Sequence, residues 1–120
     1  MSTVQNPKMY DLTQLQALSR GDDSFVTKMI DSFLTNLNEG MEEINEAKSY
    51  NDWSTIAKVA HRLKPSFQIL GVSSLSDVIL HLEKDYLLDD FDEKGYIEII
   101  NTFLTSSSIL KDQIQQFLHN

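Results

Sequence analysis

Hydrophobic residues recur along the chain at spacings of three and four, which is the period of one face of an α-helix. Strand-like alternation is scarce, and the pattern breaks at short polar or glycine-containing turns. It therefore predicts an all-α protein. The predicted helices are a short one after an N-cap at Asp11, two over about 23–49 and 53–70, one beginning after Ser73 or Ser74, and a last over about 92–118.

The connections between these helices are short, which favours antiparallel neighbours. We therefore predict an antiparallel up-and-down four-helix bundle with a short extra N-terminal helix packed across one end. Residues 1–10 are predicted to form a flexible N-terminal arm, and 11–120 a single helical domain. Gly40 interrupts the second helix, either because another helix approaches closely there or as a tolerated cost.

The composition narrows the class of protein. The chain of 120 residues is 41% apolar and 23% charged, which suits one globular domain with its own core. The absence of cysteine excludes disulfides and thiolate metal sites, and no apolar run is long enough to cross a bilayer. We therefore expect a cytoplasmic protein. We also expect it to be a monomer. A net charge of −8 argues against non-specific binding to nucleic acid.

The third helix carries a histidine beside its apolar face. Ala60 and Leu63 belong to that face, and His61 lies one residue past Ala60, about 100° around the helix. Lys64 and Gln68 follow three and seven residues later on the same shoulder.

Three basic residues surround this histidine in sequence, namely Lys58, Arg62 and Lys64. A local basic spot on an acidic protein is a candidate anion site. The alternatives are a solvated helix face and a structural or surface histidine.

The hairpin between the third and fourth helices supplies a partner for the histidine. With its turn near Val72, the residue level with His61 is close to Glu83, which follows the apolar Leu82 and also lies on a helix shoulder. This register is accurate to about one helical turn, so His81 and Lys84 are also possible neighbours of His61. A carboxylate that accepts a hydrogen bond from Nδ1–H leaves the Nε2 lone pair facing solvent. That nitrogen can take a phosphoryl group, and Lys64 can place its ammonium near the phosphoryl oxygens.

Other catalytic machinery is missing from the sequence. There is no Walker-type glycine-rich loop for a nucleotide, no dense carboxylate cluster for Mg²⁺ and no second base. His81 has no third ligand at helical spacing to complete a metal site with His61, so we expect no metal and no cofactor in this chain. The chain could accept and donate phosphate but could hardly cleave nucleotide, so we do not expect an enzyme with its own kinase activity.

The segment Ala60-His61-Arg62-Leu63-Lys64, followed by Leu70-Gly71, resembles the motif A-H-x-L-K-G-x-x-x-x-L-G of histidine-containing phosphotransfer (HPt) domains. The resemblance extends over almost the whole chain, and the family fold is also a helical bundle. It implies that His61 is the phospho-accepting histidine, that Lys64 supports the phosphoryl group and that Glu83 occupies the place of a Glu or Gln that hydrogen-bonds the imidazole.

The resemblance also implies partners. A receiver domain bearing phospho-aspartate would pass its phosphoryl group to His61, a second receiver would remove it, and Mg²⁺ would belong to the receiver. The expected docking residues are the following: Lys58, Arg62, Pro65, Gln68 and the first-helix Leu12 and Leu15. A hybrid histidine kinase is another expected partner, because the chain could be a stand-alone protein or the excised domain of such a kinase.

One position departs from the motif, because Pro65 stands where the family usually has glycine. Proline cannot donate a hydrogen bond to the carbonyl of His61, so we predict a bend or loosened turn there. Either the kink is tolerated and docking persists, or transfer is lost and the chain is a non-phosphorylated helical adaptor.

Overall fold

The predicted apolar stripes form the inner faces of five α-helices in the computed structural model, which describes residues 7–119. That part of the chain contains no β-strand, which confirms the all-α class. The helices are α1 (Thr13–Ser19), α2 (Asp23–Ser49), α3 (Trp53–Ile69), α4 (Ser76–Lys84) and α5 (Glu93–His119), with short 3₁₀ helices at Ser73–Leu75 and Asp85–Leu87 on either side of α4.

The four helices α2 to α5 pack around one core. Helix α2 contacts α3 and α5, and α4 also contacts α3 and α5, while α1 packs against α2. The buried side chains of these helices form one hydrophobic cluster. The up-and-down order and the placement of α1 across one end remain predictions.

Side-chain caps fix where α2 and α3 begin. The Asp22 carboxylate accepts a hydrogen bond from Phe25 N at 3.2 Å, and the Asp52 carboxylate accepts from Thr55 N at 3.2 Å. Such caps satisfy backbone N–H groups that lack a partner in the first helical turn. Gly71, with φ of 64°, follows the end of α3 in the left-handed region that glycine tolerates.

The fourth predicted helix is shorter than its apolar stripe. A 3₁₀ helix replaces its first turn, and neither Ser73 nor Ser74 donates or accepts a capping hydrogen bond at the N-cap of α4. At the other end, α4 stops at Lys84 and the chain tightens into the second 3₁₀ helix. The carboxyl-terminal turn of α4, which carries Glu83, is therefore the last regular turn before the connection to α5.

Gly40 marks a close approach between α2 and α3. A Cβ at this position would lie 2.8 Å from Leu63 Cδ1 and 3.3 Å from Val59 Cγ1. Both distances are tighter than ordinary van der Waals contact. Of the two explanations for this glycine, close helix packing is the one that the geometry supports.

The N-terminal region runs back over the bundle before α1. Gln113 on α5 accepts a hydrogen bond from Met9 N and donates one to Pro7 O, each at 2.8 Å. Asp11 N donates to Leu70 O at 2.9 Å, which ties the start of α1 to the end of α3. The first six residues of the predicted arm lie outside the described residues, and the domain division remains a prediction.

The first helix begins one residue later than an N-cap at Asp11 would place it. Leu12 occupies the N-cap position, and the Asp11 carboxylate instead accepts hydrogen bonds from Thr13 N at 2.9 Å and Thr13 Oγ1 at 2.6 Å. Among the described helices, none is long and apolar enough to span a membrane.

Candidate functional site

An open groove between α3 and α4 contains His61. The neighbouring Ala60 is fully buried, whereas the His61 side chain is 76% exposed. A position 100° from the centre of the buried face gives the ring this exposure, as the helical periodicity predicts. The groove is lined as follows, and is called the His61 groove below: Ala57, Lys58, His61, Lys64, Glu83 and Lys84.

Glu83 lies across the groove from His61. Its side chain is only 8% exposed, although Glu83 follows the fully buried Leu82 on α4 just as the exposed His61 follows Ala60 on α3. Glu83 Oε1 is 2.8 Å from His61 Nδ1. An ionised carboxylate can only accept, so in the neutral imidazole Nδ1 carries the proton and Nε2 keeps a free lone pair. The hairpin register around Val72 thus brings together the two residues that the sequence paired.

Lys64 contacts the same carboxylate. Its Nζ donates to Glu83 Oε2 at 3.1 Å, and its side chain is 35% exposed. Glu83 therefore bridges His61 and Lys64, one through each oxygen. The sequence placed Lys64 beside the histidine but did not reveal this second contact, because a spacing along one helix does not give side-chain direction across a groove.

Glu83 is ionised in this arrangement. Burial opposes its charge, but hydrogen bonds from Lys64 and His61 and the charge of Lys64 outweigh burial, so the pKa of the carboxyl lies below its ordinary value. Because the carboxylate persists at neutral pH, it holds the proton of the imidazole on Nδ1.

The His61 groove is basic on an acidic protein. Lys58 and Lys84 join Lys64 in its lining, against the single carboxylate of Glu83. The chain as a whole has 18 acidic and 10 basic residues. The hairpin register indicates Lys84 as a possible neighbour of His61 without assigning it a role, and Lys84 lines the same groove.

The other predicted docking residues of α3 lie around the groove rather than in it. Arg62 pairs with Glu43 on α2 and so extends to the opposite side of α3 from α4. Pro65 and Gln68 are both exposed. Helix α3 continues without a break through Pro65 to Ile69. The bend predicted at this turn remains a prediction.

The prediction that Leu12 and Leu15 contact a docked partner is wrong. Leu12 is 7% exposed and Leu15 is fully buried, so neither side chain is available to a partner in this structure. Both are part of the core, because α1 covers the apolar surface of its neighbours. The exposed leucine of α1 is Leu18, at 57%.

The second histidine of the region lies apart from the first. His81 Nδ1 lies 3.0 Å from the carboxylate of Asp85, which follows four residues later, one helical turn along the chain. Within residues 7–119 no group of three or more His, Cys, Asp or Glu side chains could hold a metal ion.

Comparison with known proteins identifies the family. The model of the Hpt domain family matches residues 28–120 of the chain. No curated protein and no solved structure gives a match. Hpt domains are phosphocarriers rather than kinases, and they act with receiver domains and kinases in phosphorelay signalling. Because the match covers more than half of the chain and includes the whole His61 groove, this protein belongs to the Hpt domain family.

Proposed function

We propose that His61 accepts a phosphoryl group from the phospho-aspartate of a receiver domain and passes it to another receiver. One observation carries this proposal, namely the contact between His61 Nδ1 and the Glu83 carboxylate on an otherwise exposed imidazole. It fixes the ring and leaves Nε2 as the accessible nucleophile. The antiparallel up-and-down bundle predicted from the sequence would hold α3 and α4 in this register.

The transfer step forms one bond and breaks one. The Nε2 lone pair attacks phosphorus, and the bond between phosphorus and the aspartate oxygen breaks, which returns the receiver carboxylate. The imidazole keeps its proton on Nδ1 and becomes positively charged. Glu83, within 2.8 Å of Nδ1, stabilises that charge as it develops. Reversal of the same step delivers the group to the second receiver.

The cations of the His61 groove supply the remaining electrostatics. Lys64 shares the Glu83 carboxylate with the reacting ring, and we propose that its ammonium stabilises the phosphoryl oxygens. Lys58 lines the same groove and complements the acidic active site of a receiver. Mg²⁺ and the aspartate would both come with the receiver.

The docking surface would surround the groove. Arg62, Pro65 and Gln68 are exposed on α3 next to His61 and are the residues that a docked receiver would meet first. The ring of Pro65 is exposed on α3, and we propose that the docking surface tolerates it. The transfer chemistry would be the same whether the chain acts alone or as a domain of a hybrid kinase, although the partner would differ.

Incubation with a phosphorylated receiver tests the proposal. The wild-type protein should acquire an acid-labile, base-stable label, and His61→Gln should acquire none. His81→Gln is the matched control, because His81 is also an exposed imidazole whose Nδ1 contacts a carboxylate, and it should be labelled like the wild type. Absence of label with any receiver that phosphorylates other Hpt domains would contradict the proposal and favour the adaptor.

A further inference from the structure

A tyrosine from α5 reaches the backbone of α4 beside the site. Tyr96 is 1% exposed, and its hydroxyl donates a hydrogen bond of 2.6 Å to the carbonyl oxygen of Leu82. This contact joins residues that are 14 positions apart in sequence. No step of the proposed transfer uses the Tyr96 hydroxyl, so its buried polar group requires another explanation.

The acceptor belongs to the peptide group that precedes Glu83. The carbonyl of Leu82, the nitrogen of Glu83 and the Cα of Glu83 lie in one plane, because the peptide bond does not rotate freely. A hydrogen bond that fixes the Leu82 oxygen therefore also fixes the backbone from which the Glu83 side chain extends.

This support lies where α4 has few constraints of its own. The helix stops at Lys84, and the backbone N–H of Asp85 bonds to His81 O before the chain enters the 3₁₀ helix. Carbonyl groups in the last turn of a helix lack regular intrahelical partners and need others. Tyr96 supplies one of these partners from a different helix.

The donor itself is held firmly. The Tyr96 ring packs edge-on against Trp53 at 5.5 Å and Phe91 at 5.4 Å between ring centroids. Burial, with smaller contributions from Asp85 and Tyr86, raises the pKa of the Tyr96 hydroxyl above its ordinary value, so it remains a donor at physiological pH.

We infer that Tyr96 is a positioning residue, whose hydroxyl fixes the turn of α4 that holds Glu83 against His61. The inference rests on the proposed function in one respect, since it assigns Tyr96 a role through the Glu83 carboxylate. Tyr96 touches neither His61 nor the incoming phosphoryl group. Its effect is on the geometry of the acceptor that determines which imidazole nitrogen carries the proton.

Tyr96→Phe removes the hydroxyl and keeps the aromatic packing. We expect the ¹⁵N resonances of the His61 ring to shift towards the values of an imidazole that exchanges between tautomers, without any phosphoryl donor present. We also expect the rate of transfer from a phosphorylated receiver to fall about three-fold, which is the effect of one ordinary hydrogen bond.

Ile79→Val is the matched control, because Ile79 is a core residue of α4 at 1% exposure and its truncation leaves the Tyr96 hydrogen bond in place. It should lower stability without shifting the His61 ring resonances. In a Glu83→Ala background, Tyr96→Phe should have no further effect on those resonances.

Two results would overturn the inference. Unchanged His61 resonances in Tyr96→Phe would show that the hydroxyl does not position Glu83, even if wild-type transfer proceeds. Equal shifts of the His61 resonances in Ile79→Val would show that the shift in Tyr96→Phe reflects only a loss of stability of the fold. The ¹⁵N measurement of the His61 tautomer needs no phosphoryl donor, so it tests the role of Tyr96 even if the protein does not transfer phosphate. The role of Tyr96 and the proposed function can therefore be refuted independently.

Discussion

Replacement of Glu83 by alanine removes the acceptor that His61 and Lys64 share. The 2.8 Å contact to His61 Nδ1 and the 3.1 Å contact to Lys64 Nζ are lost together. The imidazole then loses the group that keeps its proton on Nδ1, and the fraction of rings with a free Nε2 decreases. We expect transfer from a receiver to slow while the fold persists.

The solvent exposure of the two donors, His61 and Lys64, limits the size of the effect of Glu83→Ala on the transfer rate. A hydrogen bond to a charged group contributes about 1.5–3 kcal/mol when it is shielded from water. The His61 side chain is 76% exposed and that of Lys64 is 35% exposed, so water replaces much of what is lost. We therefore expect a loss of about 1 kcal/mol at the reacting ring, or about five-fold in rate. The free energy of unfolding should change by less than about 1 kcal/mol, because removal of the carboxylate also removes the cost of burying it.

Single-turnover transfer from a phosphorylated receiver measures the rate, and ¹⁵N spectra of the imidazole report the tautomer. Glu43→Ala is the matched control, because it removes the carboxylate that pairs with Arg62 on the other side of α3. That variant should transfer at the wild-type rate. The proposed role of Glu83 is refuted if Glu83→Ala transfers as fast as wild type with unchanged imidazole resonances, or if Glu43→Ala slows transfer equally.

Three further predictions concern stability, each measured by urea unfolding. Gly40→Ala should lower the free energy of unfolding by about 1 kcal/mol, because the new Cβ would lie 2.8 Å from Leu63 Cδ1 and overpacking outweighs the gain in helix propensity; a more stable variant would contradict the close approach. Ser107→Ala should raise it by about 1 kcal/mol, because the Ser107 hydroxyl is fully buried with no hydrogen-bond partner among the described residues; a loss would mean that the hydroxyl has one. The Glu83 carboxyl has a lowered pKa when folded, so its contribution is complete above its ordinary pKa of 4.5 and is lost as the pH falls through the folded value. The free energy of unfolding of Glu83→Gln should therefore fall less steeply at acid pH than that of the wild type. An identical pH dependence of the two proteins would refute the ionisation of Glu83.

The sequence predicted α2 and α3 well, because both combine a sustained hydrophobic period with a side-chain cap. The predicted range 23–49 is that of α2, and Asp52 caps α3. The same regularity placed Glu83 opposite His61, since two antiparallel helices joined by a short turn have a calculable register. The groove could thus be anticipated from the position of one turn.

Features that depend on contacts between distant elements could not be predicted in this way. Leu12 and Leu15 are apolar in a short helix, and the period of that helix does not say whether a neighbour buries them. The bridging role of Glu83 towards Lys64 depends on side-chain direction. The hydrogen bond of Tyr96 to the Leu82 backbone leaves no trace in the sequence of α4, because any residue there has a carbonyl group.

We propose that Nε2 of His61 carries the phosphoryl group while Nδ1 keeps its proton and donates it in a hydrogen bond to the Glu83 carboxylate. The most direct test of this proposal is ³¹P and ¹⁵N NMR of protein labelled at histidine and phosphorylated by a receiver domain. We predict one phosphohistidine, at His61, with phosphorus bonded to Nε2 and with the Nδ1 proton retained. A phosphoryl group on Nδ1, on His81 or on a residue other than histidine would contradict the account.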